Sequence, residues 1–344
     1  MHQPMKGGFP SDADVSAYLV DENPIPVSII TGFLGSGKTT LLARILESSI
    51  FSDTAVIVNE LGEIGLDHLL LEVADEKLAL LPNGCLCCQL RNDLVDTMRT
   101  LLDRAARSEI PAFVRLVIET TGIADPVPII QTLMTDPLRF SRFQFAGLLT
   151  VIDGVLGAQS LENFSVSVKQ AALADCLIVS KMDVAENYKS LHERIRNINS
   201  TAPIIFSSKG ELNSELLPGF GDLKTTQFRA NLEEVHRPAH GDGIFEVSRT
   251  MEGRMDFRVF EKWLNQLHER YGGNLLRLKG IIHFEGQEAP SVIQAVQHIF
   301  YPLETVSFQS EGDIGRLVLI GQEVSRHEFV SSLEELVEIA YRQD

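Results

Sequence analysis

A glycine-rich segment near the start of the chain constrains its fold more than any other feature. Residues 32–39 read Gly-Phe-Leu-Gly-Ser-Gly-Lys-Thr, which fits the phosphate-binding pattern G-x-x-x-x-G-K-[ST]. The apolar run 27–30 before it predicts a buried strand, and residues 40–46 after it predict a helix. Phosphate loops require this order of strand, loop and helix, so the segment predicts a nucleotide-binding domain.

This loop offers several kinds of phosphate ligand. Its glycines let backbone N–H groups point at phosphate oxygens, and the helix N-terminus adds a partial positive charge. We expect Lys38 to reach the β- and γ-phosphates and the hydroxyl of Thr39 to bind Mg²⁺. The expected nucleotide contacts of the segment are Gly32, Gly35, Ser36, Gly37, Lys38, Thr39 and Thr40.

Length and charge narrow the classes of partner. A chain of 344 residues is expected to form two domains. Its net charge of −17 argues against a nucleic acid or an anionic membrane as partner. No apolar stretch is long enough to cross a bilayer, and the N-terminus has no signal-peptide pattern. These features predict a cytoplasmic protein.

The pattern of apolar runs predicts an α/β domain with a mainly parallel sheet. The runs are rich in Val, Ile and Leu without strict alternation, which is typical of strands buried on both faces. They lie at 27–30, 55–58, 113–118, 145–152, 176–180 and 203–206. We expect a flexible leader at 1–25, the phosphate-loop domain at 26–208 and a Gly/Pro-broken linker at 209–243.

Residues 244–344 predict a smaller C-terminal α/β domain. Residues 275–284 alternate apolar residues with Arg277, Lys279 and His283, which predicts a strand with one solvated face. The other expected elements are strands at 244–248, 305–308 and 316–320 and helices at 257–271, 290–299 and 326–341.

An acidic residue and a glycine follow the predicted strand 113–118. Glu119 is placed to order Mg²⁺ through water or to position the attacking water, and Gly122 to donate its N–H to the γ-phosphate. That contact exists only before hydrolysis, so it suits a switch. The alternative for Glu119 is a helix-capping or surface acid.

Base recognition is predicted at Ser180-Lys181-Met182-Asp183, after the strand 176–180. The carboxylate of Asp183 is suited to accept N1–H and N2–H of guanine, a donor pair that adenine lacks, and the stem of Lys181 can lie against the base. The usual GTPase motif begins with Asn or Thr, so Ser180 weakens the expected preference for guanine. Ser207 and Ser208 follow the next strand, where a backbone contact to the base is expected. An ordinary turn is the alternative.

Three of the four cysteines, Cys85, Cys87 and Cys88, lie within four residues. Thiolates at this density favour Zn²⁺ or another thiophilic metal. Cys176 lies in a predicted core strand, so the fourth ligand stays open among a carboxylate, a histidine, water and a client. The alternative is a set of packing or redox cysteines.

Two further groups offer metal ligands with less support. Glu60, Glu63 and His68 lie in an acidic, glycine-containing segment after the second predicted strand, where a solvated switch loop is equally expected. His236 and His240 lie in the predicted linker, and plain loop residues are the favoured interpretation there.

Five motifs in order resemble those of the CobW-type P-loop GTPases, which include cobalamin-synthesis accessory proteins, nitrile hydratase activators and zinc metallochaperones. They lie at 32–40, 59–67, 83–88, 119–126 and 180–183, and residues 170–175 also resemble the family's helix before the base motif. The resemblance implies a metal-stimulated GTPase that loads or delivers a transition metal, zinc or cobalt, bound by Cys85, Cys87 and Cys88. Ser180 and a linker without a histidine-rich tract depart from the family pattern.

The resulting hypothesis is a GTP-dependent metallochaperone. Binding of GTP with Mg²⁺ orders the loops beside the γ-phosphate and changes the metal coordination, and hydrolysis releases the metal to a client metalloprotein or a protein of a metal-cofactor pathway. Intrinsic turnover is expected to be slow, because the sequence assigns no arginine finger. A dimer that depends on metal or nucleotide is a further expectation. The alternatives are a metal buffer or sensor with structural nucleotide, and a P-loop ATPase or kinase.

Overall fold

The structure is a computed structural model of the chain. It describes residues 24–48, 51–58, 78–80, 87–135, 142–186, 188–212, 243–301, 303–305 and 313–341. At 78–80, 87–93, 135 and 304 it describes the backbone alone. The chain divides into two compact units, each with its own sheet. Within the described ranges, no helix is long and apolar enough to cross a membrane.

A seven-stranded sheet forms the centre of the first unit. All its neighbouring strands pair in parallel, in the order β3-β2-β4-β1-β5-β6-β7. The predicted α/β class with a parallel sheet is therefore confirmed. The strands are β1 (Ile25–Thr31), β2 (Thr54–Val58), β3 (Leu78–Leu80), β4 (Arg115–Glu119), β5 (Phe143–Asp153), β6 (Cys176–Ser180) and β7 (Ile204–Phe206).

The six strands expected in this region are all present, but β3 is not among the predictions. It has three residues and lies at the edge of the sheet, beside β2. Three residues are too few to show a periodic pattern, so its pairing with β2 identifies the strand.

Helices connect the strands of the first unit. The helix after β1 begins where Gly37 adopts φ 88°, and it buries Leu41, Leu42 and Ile45 against β1, β2, β4 and β5. This apolar stripe along one face follows helical periodicity. The helices are α1 (Lys38–Glu47), α2 (Cys87–Ala106), α3 (Val127–Thr135), α4 (Gly157–Asn163), α5 (Ser165–Leu173) and α6 (Tyr188–Ile198).

The second unit combines an antiparallel sheet with two helices. Five of its strands follow the order β11-β10-β9-β13-β8, and β12 pairs with β10. The strands are β8 (Ile244–Glu252), β9 (Leu275–Ile282), β10 (Ser291–Val296), β11 (Ile299–Phe300), β12 (Glu304–Thr305) and β13 (Ile314–Gln322). The helices are α7 (Phe257–Tyr271) and α8 (Arg326–Tyr341), and their bounds agree with the predicted ones.

The predicted helix over 290–299 is wrong. Residues 291–296 form β10, which pairs with β9, and a turn at Gln297 with φ 51° leads into β11. The sequence Ser-Val-Ile-Gln-Ala-Val has a helix-compatible spacing of apolar residues, but its β-branched residues fit a strand, and pairing with β9 decides the outcome.

The solvated face predicted for β9 is also wrong, because every residue of the strand is buried. Arg277 is 1% exposed and Lys279 is 6% exposed. His283, just after the strand, is buried beside Asp313, with His283 Nδ1 3.3 Å from Asp313 Oδ1. The hydrogen bond from Arg254 holds the pKa of Asp313 below its ordinary value. The charged residues of β9 therefore do not mark a solvent-exposed face.

Stability of the second unit is predicted to depend on Phe329 in α8, which is fully buried and packs its ring against Phe245 and Tyr271. Phe329→Ala should lower the free energy of unfolding by about 3–5 kcal/mol, because it removes a buried ring and leaves a cavity. The fluorescence of Trp263 is the measurement, since it is the single tryptophan of the chain and is buried in the same core. Ile339→Ala, at an exposed position of the same helix, is the control, and an equal effect of both changes would contradict the prediction.

Candidate nucleotide and metal site

The phosphate loop begins where β1 ends, and its backbone conformation requires glycine. Gly35 and Gly37 have φ of 73° and 88°, in the left-handed region that other residues rarely adopt. Gly32 has φ 144°, and a Cβ there would lie 2.2 Å from the carbonyl oxygen of Val151 in β5. A side chain at Gly32 would therefore displace the loop from the neighbouring strand.

Lys38 folds back over this loop. Its Nζ donates to the carbonyl oxygen of Gly32 at 2.9 Å and lies 3.3 Å from that of Phe33. Only 8% of the residue is exposed. The ammonium is thus held at the loop itself, where a phosphate-binding lysine is needed.

Two candidate magnesium ligands meet beside the loop. Thr39 Oγ1, in the first turn of α1, donates to Glu119 Oε1 at 2.7 Å. Glu119 ends β4, the strand next to β1, and is 4% exposed. A hydroxyl and a carboxylate are hard oxygen donors of the type that Mg²⁺ prefers, so this pair fits the ion expected beside a phosphate loop.

The segment after Glu119 closes against the phosphate loop. Thr120 donates its N–H to Ile30 and its hydroxyl to Thr31 Oγ1 at 2.8 Å. A Cβ at Gly122 would lie 2.6 Å from the backbone nitrogen of Leu34. This close backbone approach explains why position 122 is a glycine, and it places Gly122 beside the phosphate loop.

The predicted base motif binds the main chain of the phosphate loop. Ser180 Oγ donates to the carbonyl oxygen of Ser36 at 2.6 Å. Lys181 Nζ donates to the carbonyl oxygen of Gly35 at 2.8 Å and to Asp153 Oδ2 at 2.6 Å. Serine in the first motif position therefore still reaches the loop with its short hydroxyl.

Asp153 is a site residue that the sequence analysis does not identify. It ends β5, and its Oδ1 accepts the N–H groups of Val155 and Leu156 at 2.8 and 3.0 Å. Burial alone would raise the pKa of Asp153, but the hydrogen bonds from Lys181 and the two backbone groups lower it overall. The available signal is an acidic residue at the carboxyl end of a buried strand next to β1.

Asp183 and the loop after β7 form the neighbouring surface. Asp183 is exposed, and its Oδ1 accepts the N–H of Lys209 at 3.1 Å. The carbonyl oxygen of Ser207 accepts the N–H of Met182 at 3.1 Å, and Ser207 is fully buried. Thr40 is exposed on α1, next to Gly210. The two loops named in the base prediction therefore lie together at the carboxyl edge of the sheet.

Most of the predicted transition-metal ligands are not placed. Cys85, Glu60, Glu63, His68, His236 and His240 lie outside the described residues. Cys87 and Cys88 begin α2, where the structure describes the backbone alone. In the described part of the chain, no group of three or more His, Cys, Asp or Glu residues is arranged to hold a metal. Cys176 is buried in β6, as predicted.

Two family models match the chain. One, described as the CobW/HypB/UreG nucleotide-binding domain, matches residues 26–206. The other, described as the cobalamin synthesis protein cobW C-terminal domain, matches residues 246–337.

Individual proteins are similar over most of the chain. The zinc chaperone YjiA of Escherichia coli is 34% identical over 284 residues, which cover 81% of this chain and 88% of that protein. The zinc-regulated GTPase metalloprotein activator 1 of Saccharomyces cerevisiae is 33% identical over 372 residues, covering 92% of this chain and 83% of that protein.

Solved structures extend this similarity to the fold. The crystal structure of Zn(II)-bound YjiA GTPase from E. coli matches with a TM-score of 0.72 and 27% identity, over 91% of this chain and 99% of that one. A Zn(II)-bound YjiA mutant with one glutamate and two cysteines changed to alanine also matches with a TM-score of 0.72.

The bonds of Asp153 predict a dependence of stability on pH. The pKa of Asp153 is lower in the folded chain than its ordinary value of 3.8. The ionised carboxylate therefore stabilises the fold at pH values above 3.8, and this stabilisation is lost as the pH falls through the lower folded-state pKa. Asp153→Asn should therefore cost about 1–3 kcal/mol at neutral pH and less in acid.

Urea unfolding of the nucleotide-free protein from about pH 7 to about pH 3 measures this difference. Asp96→Asn is the control, since its ion pair with Arg99 is exposed and such pairs contribute little. A difference between wild type and Asp153→Asn that does not change with pH would contradict the prediction.

Proposed function

Because the chain belongs to the CobW family of P-loop GTPases, we propose that it is a metallochaperone that couples GTP hydrolysis to the delivery of a transition metal. The observation that carries the nucleotide half is the attachment of the base motif to the phosphate loop through Ser180 and Lys181. A base site and a phosphate site joined in this way are suited to hold one nucleotide across both.

For hydrolysis we assign roles to four residues. Lys38 contacts the β- and γ-phosphates, the hydroxyl of Thr39 and, through water, the carboxylate of Glu119 hold Mg²⁺, and Gly122 donates its N–H to the γ-phosphate. The bound ion would neutralise charge on the phosphate oxygens. The 2.7 Å distance between Thr39 Oγ1 and Glu119 Oε1 supports a shared ion. Gly32, Gly35, Ser36, Gly37 and Thr40 complete the phosphate contacts.

Guanine recognition is assigned to the loops after β6 and β7. The carboxylate of Asp183 accepts N1–H and N2–H of guanine, the stem of Lys181 lies along the base, and Ser207 supplies a backbone contact. The exposure of Asp183 and its proximity to Lys209 support this assignment, since the carboxylate is accessible beside the second loop.

Zinc is the proposed cargo, because YjiA is a zinc chaperone and its solved structures contain Zn(II). We propose Cys85, Cys87 and Cys88 as thiolate ligands and Glu60 and Glu63 as additional ones, with cobalt as the second candidate metal. Cys87 and Cys88 begin α2, and a helix N-terminus favours negatively charged ligands.

The proposed coupling follows from chain order. The cysteine motif lies between the acidic segment after β2 and the strand that ends in Glu119, and both of these segments are proposed to border the γ-phosphate. Ordering them with GTP changes the coordination open to the thiolates, and hydrolysis releases the metal to a client. Linkage requires that metal in turn alters nucleotide affinity or turnover.

Several further assignments stay predictions. The recipient is a client metalloprotein or a protein of a metal-cofactor pathway, the location is the cytoplasm, and a metal- or nucleotide-dependent dimer is expected. The proposed domain boundaries are 26–208 and 244–344, after a leader at 1–25 and around a linker at 209–243.

The metal half of the proposal is tested by GTP turnover of metal-free protein titrated with Zn²⁺, Co²⁺, Ni²⁺ and Fe²⁺. One metal should change turnover in the wild type and leave the Cys85/Cys87/Cys88→Ala variant unaffected, because the thiolates transmit the effect. Cys176→Ala is the matched control, since this cysteine is buried in β6 and should leave the metal response intact. If no metal changes GTP turnover, the metal buffer or sensor is favoured. If the protein prefers to hydrolyse ATP, or transfers a phosphoryl group to an acceptor, the ATPase or kinase is favoured.

Asp183→Asn tests the base assignment. The amide loses one acceptor for guanine and gains a donor suited to the O2 of xanthine, so GTP affinity should fall roughly 10²-fold relative to XTP affinity. Competition against a fluorescent nucleotide measures both constants. Glu186→Gln, a change at a nearby exposed acid, should leave the ratio unchanged. An unaltered ratio in Asp183→Asn would remove this carboxylate from the base site.

A further inference from the structure

A fully buried glutamine lies behind the nucleotide site. Gln170 belongs to α5 and is 0% exposed. Its Nε2 donates to the carbonyl oxygen of Ala124 at 2.9 Å and to that of Gly122 at 3.3 Å. An amide nitrogen carries two hydrogens, so both are used on one loop. Among the described residues the amide oxygen has no hydrogen-bond partner, so the side chain acts here as a donor.

The same residue is anchored to the central sheet. Its main-chain carbonyl oxygen accepts the hydroxyl of Thr150, a buried residue of β5, at 2.8 Å. Gln170 also lines, with Phe33, Leu34 and Ser36 of the phosphate loop, a cavity of about 10 Å³. The amide group of Gln170 is therefore held between the central sheet and the phosphate loop.

The loop that Gln170 holds is the one proposed to detect the γ-phosphate. Glycine has more backbone freedom than any other residue, so Gly122 needs external contacts to hold one orientation. Leu34 limits Gly122 on the side of the phosphate loop, and the amide of Gln170 fixes its carbonyl group. The N–H of Gly122 belongs to the peptide plane before its Cα and the carbonyl to the plane after it, so the bond from Gln170 holds one plane directly and limits the other through their shared Cα.

We propose that Gln170 is a positioning residue that aims the backbone of Gly122 at the γ-phosphate, so that the site distinguishes GTP from GDP. The inference rests on the proposed contact of Gly122 with the γ-phosphate and involves no transition metal. Gln170 is fully buried and acts through Gly122, so its effect is confined to the state with three phosphates.

The neighbouring residue Lys169 provides a matched control. Its Nζ lies 2.6 Å from Asp125 Oδ2, so it contacts the same loop from the same helix. The two side chains are 20% and 41% exposed, and solvent screens such a pair. The other oxygen of Asp125 accepts the N–H of Val127 and holds the start of α3 without Lys169. Lys169→Met should therefore have little effect on nucleotide discrimination.

The experiment compares wild type, Gln170→Met and Lys169→Met in buffer with Mg²⁺ and no transition metal. Dissociation constants for GDP and for a non-hydrolysable GTP analogue are measured by calorimetry, together with kcat, KM and thermal unfolding. Gln170→Met should weaken binding of the analogue by about fivefold to tenfold and lower kcat similarly, because two hydrogen bonds to the loop are lost. GDP affinity should change less than about twofold, since GDP lacks the group that Gly122 contacts.

A second variant supplies a pH-dependent readout. Gln170→Glu has the same shape; its ionised carboxylate can only accept hydrogen bonds, whereas the protonated acid can donate one. Its loss of GTP discrimination should therefore diminish as the pH falls, whereas that of Gln170→Met should not. If Gln170→Met unfolds, this pH response of Gln170→Glu carries the test by itself.

Three outcomes would overturn the inference. These are an equal loss of GDP and analogue affinity in Gln170→Met, an unchanged ratio in all variants, or a pH-independent defect in Gln170→Glu. Each leaves wild-type hydrolysis and its metal response untouched, so it is distinguishable from failure of the metallochaperone proposal. Conversely, turnover that ignores metals would leave the comparison of GDP with the analogue intact.

Discussion

The phosphate loop depends on donors for its own carbonyl groups. A loop that turns its N–H groups toward an anion turns carbonyl oxygens away from it, and buried carbonyls need hydrogen-bond partners. Lys38 donates a hydrogen bond to the carbonyl oxygen of Gly32. Lys181 and Ser180, at the carboxyl end of β6, donate to other carbonyl oxygens of the loop. The segment proposed to bind the base is therefore hydrogen-bonded to the phosphate loop.

The neighbouring strands extend this arrangement on both sides of β1. Glu119 ends β4 and binds Thr39, while Asp153 ends β5 and binds Lys181. Each strand thus brings a buried carboxylate to the same edge of the sheet, and each carboxylate holds a side chain of a nucleotide motif. Gln170 adds a third support from α5, through the loop that follows β4. Together these contacts join the phosphate loop and the loops beside it to β4, β5 and α5.

Sequence patterns predict the parts of this structure that depend on local order. Apolar runs identify the long strands, and the phosphate loop identifies Lys38, Thr39 and their position after β1, because these follow from the order of residues along the chain. Asp153 and Gln170 follow no such rule, since their partners are about 30 and 50 residues away. The strand β10 depends on pairing with β9, and Arg277 is buried because β9 lies between β10 and β13. The metal ligands stay predictions because the structure does not place their side chains.

The amino ends of the parallel strands lie at the side of the sheet opposite their carboxyl ends. The amino ends of β2, β4 and β6 meet there, on the side away from every residue assigned to the nucleotide. The turn at 107–109 before β4 is exposed, and such exposed turns tolerate insertion and extension better than buried segments. Evolution and engineering can therefore lengthen, tag or immobilise the molecule at this edge without disturbing the chemistry at the other. The fold thus keeps this exposed turn and the residues assigned to the nucleotide at opposite ends of the strands.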